Sequence, residues 1–185
     1  IIYTLHFVGY FVCQSIINRA MDTLRYINCE TPNGAFHIIV DSDDIARASG
    51  FGSLIDLQRR LPLEFHDASL ESATSHPYES LVTAYYDGDQ SALGKIPRHQ
   101  EGSDFQEKVW QAIGAIPYGK TMSYKELAEA SGNSAAIRAA GTICGLNKLI
   151  LLVPCHRILK SDGSVGSYLY GPEIKTSLLR REHAI

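Results

Sequence analysis

Apolar residues follow two different periods along the chain, and the change between them divides it. Strand-like runs at residues 24–28 and 35–40 flank Thr31-Pro-Asn-Gly34, a turn sequence that predicts a β-hairpin. From Pro77 the period lengthens: Leu81, Val82, Tyr85 and Tyr86 recur at helical spacing and stop at Asp87-Gly88, a C-terminal breaker. Residues 91–102, with Gly94, Pro97 and Gly102, read as a linker at a domain boundary. Beyond it the pattern is mostly helical. Ser103 or Asp104 caps a helix whose apolar face is Phe105, Val109, Ala112 and Ile113, ended by Gly114 and Pro117. Ser123 caps a second helix, Tyr124 to Ala130, and Gly132-Asn133 turns the chain. Ser134 caps a third helix that runs to about Cys144, with Ile137, Ala140, Gly141 and Cys144 on one face. Two short helices joined by a tight glycine-containing turn fit a helix-turn-helix, a motif that DNA readers share with plain helical hairpins. After Asn147 comes an unbroken apolar run, Leu149 to Val153, which predicts a buried strand leading into Pro154-Cys-His-Arg-Ile158.

Composition removes several classes. With 45% apolar and 20% charged residues in 185, the chain is globular, and disorder, collagen and coiled coil are excluded. The apolar run Ile1 to Cys13 is broken by Thr4, His6 and Gly9 and falls short of the ~20 residues that cross a bilayer. It has the length of a signal-peptide core but lacks a basic flank and a small-residue cleavage site. Residues 1–20 therefore read as an extension of unclear role, with Met21 as a candidate start. The four cysteines, Cys13, Cys29, Cys144 and Cys155, form no C-x-x-C pair, which favours a reducing compartment over a disulfide scaffold or zinc site. Charge is uneven: residues 1–100 carry 7 basic and 12 acidic side chains, residues 101–185 carry 10 and 8. Lys120, Lys125, Arg138, Lys148, Arg157 and Lys160 face only Glu126 and Glu129 within Pro117–Lys160. That stretch can meet an anion, or it is simply a solvated face.

The chemistry concentrates at Cys155. A lone cysteine is most often a small core residue, but a nucleophilic one needs a nearby cation, base or helix N-terminus to become thiolate. His156 and Arg157 adjoin Cys155, and Glu182 can orient the imidazole. Neighbours on an extended strand point to opposite sides, so Cys155 and His156 are expected to communicate through a turn or a bridging water. Arg138 sits early on the third helix among Ala135, Ala136, Ala139 and Ala140, small enough for a backbone to approach DNA closely.

Pro154-Cys-His-Arg-Ile158, preceded by Arg138-Ala-Ala-Gly141 and Asn147 and followed by Gly166-Ser-Tyr168 and Lys175-x-x-Leu-Leu179-x-x-Glu182, closely resembles the O6-alkylguanine-DNA alkyltransferase family. The resemblance runs without a gap from Phe105 to Glu182, and more weakly through Thr31–Gly34 and Tyr85–Gly88. It implies an α/β fold: a small N-terminal β-sheet-containing, ribonuclease H-like domain over residues 21–100, and a mostly helical helix-turn-helix catalytic domain over residues 101–185. It also implies a reaction, in which an O6-methylguanine is flipped from the duplex and its methyl group passes irreversibly to Cys155. Such a base is cheap to unstack and is reachable only outside the helix.

The resemblance carries roles onto matching positions. Glu182 would hold His156, which through a water takes the Cys155 proton. Asn147 would brace the Pro-Cys-His-Arg turn. Tyr124 would push the flipped nucleotide's phosphate and donate to guanine N3, Arg138 would enter the vacated stack, and Ser123 and Ala135 would contact DNA. Ile150, Arg157, Ile158, Tyr168, Leu169 and Tyr170 would make up the substrate pocket, with main-chain groups of Cys155, Ile158 and Leu169 reading the guanine edge and Tyr168 as a wall. The implied partner is double-stranded DNA, entered from the minor groove, by a monomer in the cytoplasm, or the nucleus of a eukaryote, without membrane or cofactor. Cys13, Cys29, His37 and His66 do not match the spacing of the zinc site of some relatives, so no metal is expected. Many relatives have prolines where this chain has Lys148 and Ile150, and a glycine at Tyr170, which predicts poor reaction with large free bases such as O6-benzylguanine. The chain shows no four-cysteine phosphotriester-repair motif, which argues against a methylation-triggered activator. Three alternatives remain: a non-catalytic alkyltransferase-like lesion binder, which Cys155 opposes; a helix-turn-helix regulator with a structural cysteine; and a Cys-His hydrolase, for which no oxyanion loop is evident.

Overall fold

The computed structural model describes residues 23–185. The extension expected over residues 1–20, Met21 and Cys13 lie outside the described residues. The N-terminal half is a four-stranded sheet in the order β3-β2-β1-β4, built from β1 (Leu24–Thr31), β2 (Gly34–Val40), β3 (Ala46–Phe51) and β4 (Leu70–Ser72). β1 and β2 form the expected hairpin, in register from Thr31 opposite Gly34 to Arg25 opposite Val40. The turn closes because the Thr31 hydroxyl donates to Gly34 O at 2.6 Å and accepts from Asn33 N at 3.2 Å. Gly34 takes φ +101°, a backbone region closed to most side chains.

Alternating side chains cover the sheet on both faces. Ile27, Cys29, Phe36, Ile38 and Val40 face the main core, while Leu24, Ile39 and Ala48 pack on Leu57 and Leu61, from and just beyond the short helix α1 (Leu54–Gln58). α2 (Pro77–Tyr86) lays Tyr78, Val82, Tyr85 and Tyr86 on the main face and ends at Asp87 as predicted. Each fully buried Ile, Leu or Phe contributes ~1.5–3 kcal/mol. The outer edge of β3 is not left open, as an exposed edge would invite mispairing. Ala46 N donates to Pro97 O and His99 N to Ala46 O, while Ser49 N donates to Lys148 O and Ile150 N to Ser49 O. The residue 91–102 segment, predicted as a plain linker, contains a 3-10 turn at Ala92–Lys95 and is held against the sheet.

The C-terminal half contains α3 (Asp104–Gly114), α4 (Tyr124–Ala130), α5 (Ile137–Gly145) and α6 (Pro172–Arg181), with a two-residue parallel ladder between β5 (Met122–Ser123) and β6 (Ile158–Leu159). α3 and α4 start where their caps predict: Gln106 accepts from Ser103 N at 2.8 Å, and Ser123 and Glu126 exchange bonds at 2.7 and 3.2 Å. α5 starts later than predicted. Ser134 does not cap it; the Asn133 side chain accepts from Ala135 N at 3.2 Å and its carbonyl from Ala136 N at 3.0 Å, so residues 134–136 stay in the turn. The mixed α/β class stands. One continuous apolar core runs from Phe36 and Tyr85 through Val109, Leu127 and Ile143 to Cys155 and Leu178.

The buried strand predicted at Leu149–Val153 is instead a tight turn. Val153 N donates to Leu149 O at 2.7 Å, and Leu151 takes φ +71°, an uncommon state for a branched residue. All five side chains are buried, which is why hydrophobicity alone reads the segment as a strand.

Candidate active site and nucleic-acid interface

The turn exists because Asn147 supplies the bonds a ladder would otherwise make. Its buried side chain donates to Val153 O at 2.8 Å and accepts from Leu149 N at 3.0 Å. The N-terminal half braces it further: Gln100 donates to Asn147 Oδ1 at 3.1 Å, and Arg60 to Asn147 O at 2.7 Å. Beyond Pro154, residues Cys155–Arg157 form one 3-10 turn, which sets successive side chains about 120° apart. Cys155 therefore reaches a cavity on one side while His156 and Arg157 turn to Glu182.

Glu182, just past the end of α6 and 1% exposed, accepts four bonds. His156 Nε2 and Tyr85 Oη lie 2.9 and 2.8 Å from Oε1, and Arg157 grips both oxygens at 2.7 and 2.9 Å. Burial opposes the charge, but the bonds from His156 and Arg157 outweigh it and hold the carboxyl at about 2. Burial also pulls His156 below its ordinary value, against the attraction of Glu182, so the imidazole is neutral at neutral pH and able to take a proton. Its other nitrogen, Nδ1, is buried and has no hydrogen-bond partner among the described residues.

Cys155 is 5% exposed and opens on a cavity of about 300 Å³ lined by Tyr124, Gly141, Cys144, Gly145, Ile150, Ser167, Tyr168 and Leu169. That volume is at the small end for ligand sites. A hydrogen bond from Cys144 draws the Cys155 thiol below its ordinary value; burial opposes this, and Asn147 and the Lys175 ammonium assist. Cys144 is held above its ordinary value by the same contact with Cys155 and by burial. Lys175 is itself buried, donating to Ile158 O at 2.6 Å. A Cys144→Ala variant is expected to raise the pH midpoint of Cys155 alkylation by iodoacetamide, mapped by peptide mass, while Cys144→Ser stays closer to the parent. An unchanged midpoint in both would remove Cys144 from the account.

Of the residues expected in the pocket, Ile150, Tyr168 and Leu169 line the cavity, together with Tyr124. Arg157 does not: it lies behind the nucleophile, paired with Glu182 and donating to Ile116 O at 2.6 Å. Ile158 is fully buried in the β5–β6 ladder. Tyr170 lies outside as well, lining a neighbouring cavity with Phe51, Arg60 and Leu169. Ser123 is engaged as the α4 cap. Tyr124 packs against Gly141 of α5, where an added Cβ would sit 3.5 Å from its ring, so the helix pair delivers Tyr124 to the cavity. Ala135 and Arg138 are exposed, Ala135 in the turn and Arg138 on the second residue of α5. Lys120 and Lys125 are exposed too, and no ion pair among the described residues uses them or Arg138.

Residues 104–184 match the family model "6-O-methylguanine DNA methyltransferase, DNA binding domain". The constitutive methylated-DNA–protein-cysteine methyltransferase of Bacillus subtilis is 32% identical over 159 residues, 85% of this chain and 94% of that protein. The chain belongs to the methylated-DNA–protein-cysteine methyltransferase family. The regulatory protein Ada of Salmonella typhimurium is 43% identical over 158 residues, 85% of this chain but 42% of its own length. The chain thus spans about two-fifths of the Ada proteins it matches. The crystal structure of Mycobacterium tuberculosis OGT in complex with DNA superposes with a TM-score of 0.70 at 28% identity, covering 85% of this chain and 92% of that one.

Several members of this family site escape sequence reading. Cys144 reads as one apolar residue on a helix face, and Lys175 as a motif position without a role. Tyr85 reads as helix core, yet its hydroxyl reaches Glu182 across 97 residues. Arg60 and Gln100 come from the other half of the chain, and no local pattern points to them. No three His, Cys, Asp or Glu residues cluster as metal ligands among the described residues, and no described helix is long and apolar enough to cross a membrane.

Proposed function

We propose that this chain repairs O6-alkylguanine in double-stranded DNA by moving the alkyl group irreversibly onto Cys155. The observation that carries the reading is Cys155 at the floor of a small cavity, backed by buried His156, Glu182 and Arg157, beside an exposed arginine on the second helix of a helix-turn-helix. In this reading the lesion base leaves the stack, entered from the minor groove, and Arg138 takes its place. Its unstacking is cheap because pairing is already weakened. The Cys155 proton passes through a water to His156 Nδ1. The thiolate attacks the alkyl carbon, the S–C bond forms as the O6–C bond breaks, and guanine leaves with the electron pair and takes up a proton. Tyr124 donates to guanine N3 and offsets the charge that develops on the leaving base.

Residues 101–185 carry the reaction and residues 21–100 brace it, as a monomer that needs no cofactor. Phosphate contacts from Lys120, Lys125 and neighbours make binding fall with added salt. Because the thioether is not reversed, each molecule acts once. With excess lesion duplex, the guanine restored, measured by nucleoside chromatography, is expected to plateau at one equivalent per protein. Continued turnover would refute the irreversible step. A non-catalytic lesion binder, which would restore none, is disfavoured by Cys155.

A further inference from the structure

Tyr170 occupies a seat that only glycine permits. Its hydroxyl lies where a side chain at Gly50 would begin: a Cβ there would sit 2.0 Å from Tyr170 Oη, 2.9 Å from Cζ and 3.3 Å from Leu57. The ring also stands edge-on to Phe51 at 5.5 Å and to Tyr168 at 6.3 Å. Gly50 and Phe51 are consecutive residues of β3, while Tyr168 is a wall of the Cys155 cavity. The preceding residue, Ser49, holds another lining residue of that cavity, Ile150. Its hydroxyl donates to Ile150 O at 2.7 Å, and its backbone pairs with Lys148 and Ile150. One dipeptide of the N-terminal sheet thus holds Ile150 by hydrogen bonds and Tyr170 by a missing side chain.

We propose that Ser49-Gly50 is a specificity-determining element: by seating Tyr170 away from the Cys155 cavity and fixing Ile150, it sets the room for alkyl groups larger than methyl. The inference rests on the alkyl-transfer reading above. A Cβ at residue 50 forces its neighbour to move, and the atoms it meets are the far end of the Tyr170 side chain, so the ring is what shifts. Phe51 stands edge-on to the ring at 5.5 Å and Leu57 lies 3.3 Å from the new Cβ, and in this proposal the ring yields towards Tyr168 and narrows the cavity. A methyl group still fits beside Cys155; a benzyl group does not. The bulk at position 170 is therefore neutral in this protein only while position 50 is glycine.

The test is a double-mutant cycle of Gly50→Ala and Tyr170→Ala, with single-turnover rates on one duplex carrying either O6-methylguanine or O6-benzylguanine. Gly50→Ala is expected to lower the benzyl-to-methyl rate ratio at least about tenfold, which is a loss of roughly 1.4 kcal/mol of discrimination. In the Tyr170→Ala background the same substitution changes the ratio less than about twofold, because the clashing ring is gone. A Gly50→Ala ratio equal to the parent's overturns the proposal. An equal shift in both backgrounds also overturns it, since the effect would then be general loosening of the fold. If Gly50→Ala alone does not fold, recovery of melting temperature in the double variant supports the same steric coupling, and failure to recover contradicts it. A parent protein that reacts with neither duplex refutes the alkyl-transfer reading itself, whereas a reactive parent with no coupling refutes only the role of Gly50.

Discussion

A Glu182→Gln variant transfers methyl at least about 100-fold more slowly than the parent and is less stable. The rate loss follows from His156: without the carboxylate at 2.9 Å, its tautomer and basicity are no longer fixed, and general-base assistance of this kind is worth ~10²–10⁴-fold. The stability loss follows from Arg157, whose guanidinium keeps its half-buried place without its counter-charge. Breaking a buried pair from one side costs about 3–5 kcal/mol. The pH profile separates the two effects. The Glu182 carboxyl is depressed from its ordinary 4.5 to about 2. Its contribution to stability is therefore fully present above about 4.5 and is lost as pH falls towards 2. Asp44 and other carboxyls held below their ordinary values weaken both proteins in acid, so urea unfolding from pH 6 down to pH 2 is expected to show a larger loss in the parent than in the variant, closing the gap between them. Equal stability and equal rates at pH 7 would mean that the ion pair is an ornament of the fold.

The second large effect is expected at Arg138. It is exposed on the second residue of α5 and forms no ion pair among the described residues; in the proposed reaction it fills the space that the flipped base leaves. Unstacking a base costs a few kcal/mol, so Arg138→Ala is expected to slow transfer from duplex DNA by about 10–100-fold. The same variant on a single-stranded oligonucleotide, which has no stack to fill, loses much less. Stopped reactions on matched duplex and single-stranded lesions measure the difference. Equal losses on both would assign Arg138 to phosphate attraction alone.

Local signals were legible from the residues themselves. The Thr31–Gly34 hairpin, the stop at Asp87 and the Ser123-Glu126 cap each depend on bonds within four residues, so the pattern carries them. The nucleophile turn was not legible. Leu149–Val153 is apolar throughout, and only the side chain of Asn147, bonding forward to Val153, converts it from strand to turn. The same turn rotates Arg157 away from the cavity and against Glu182, whereas the family resemblance implies a place for it in the pocket. The onset of α5 shifted because Asn133 competes with Ser134 for the free amides of that turn. Contacts across the two halves carry no periodic trace at all: Arg60 on Asn147, Tyr85 on Glu182 and Tyr170 on Gly50 are fixed by the tertiary fold. The resemblance places Tyr170 at the pocket, and its contact with Gly50, which the structure shows, leaves no local trace in the sequence. The family motif recovered Cys155, His156, Asn147 and Glu182, which the structure does bring together.

Peptide-mapped mass spectrometry after mixing the protein with a duplex carrying one O6-methylguanine tests the central claim most directly. Stoichiometric gain of one CH2 on the Cys155 peptide, absent in Cys155→Ala, is the result expected. Unmodified Cys155 in protein that still binds the lesion duplex would contradict it and leave a lesion-recognition protein without transfer.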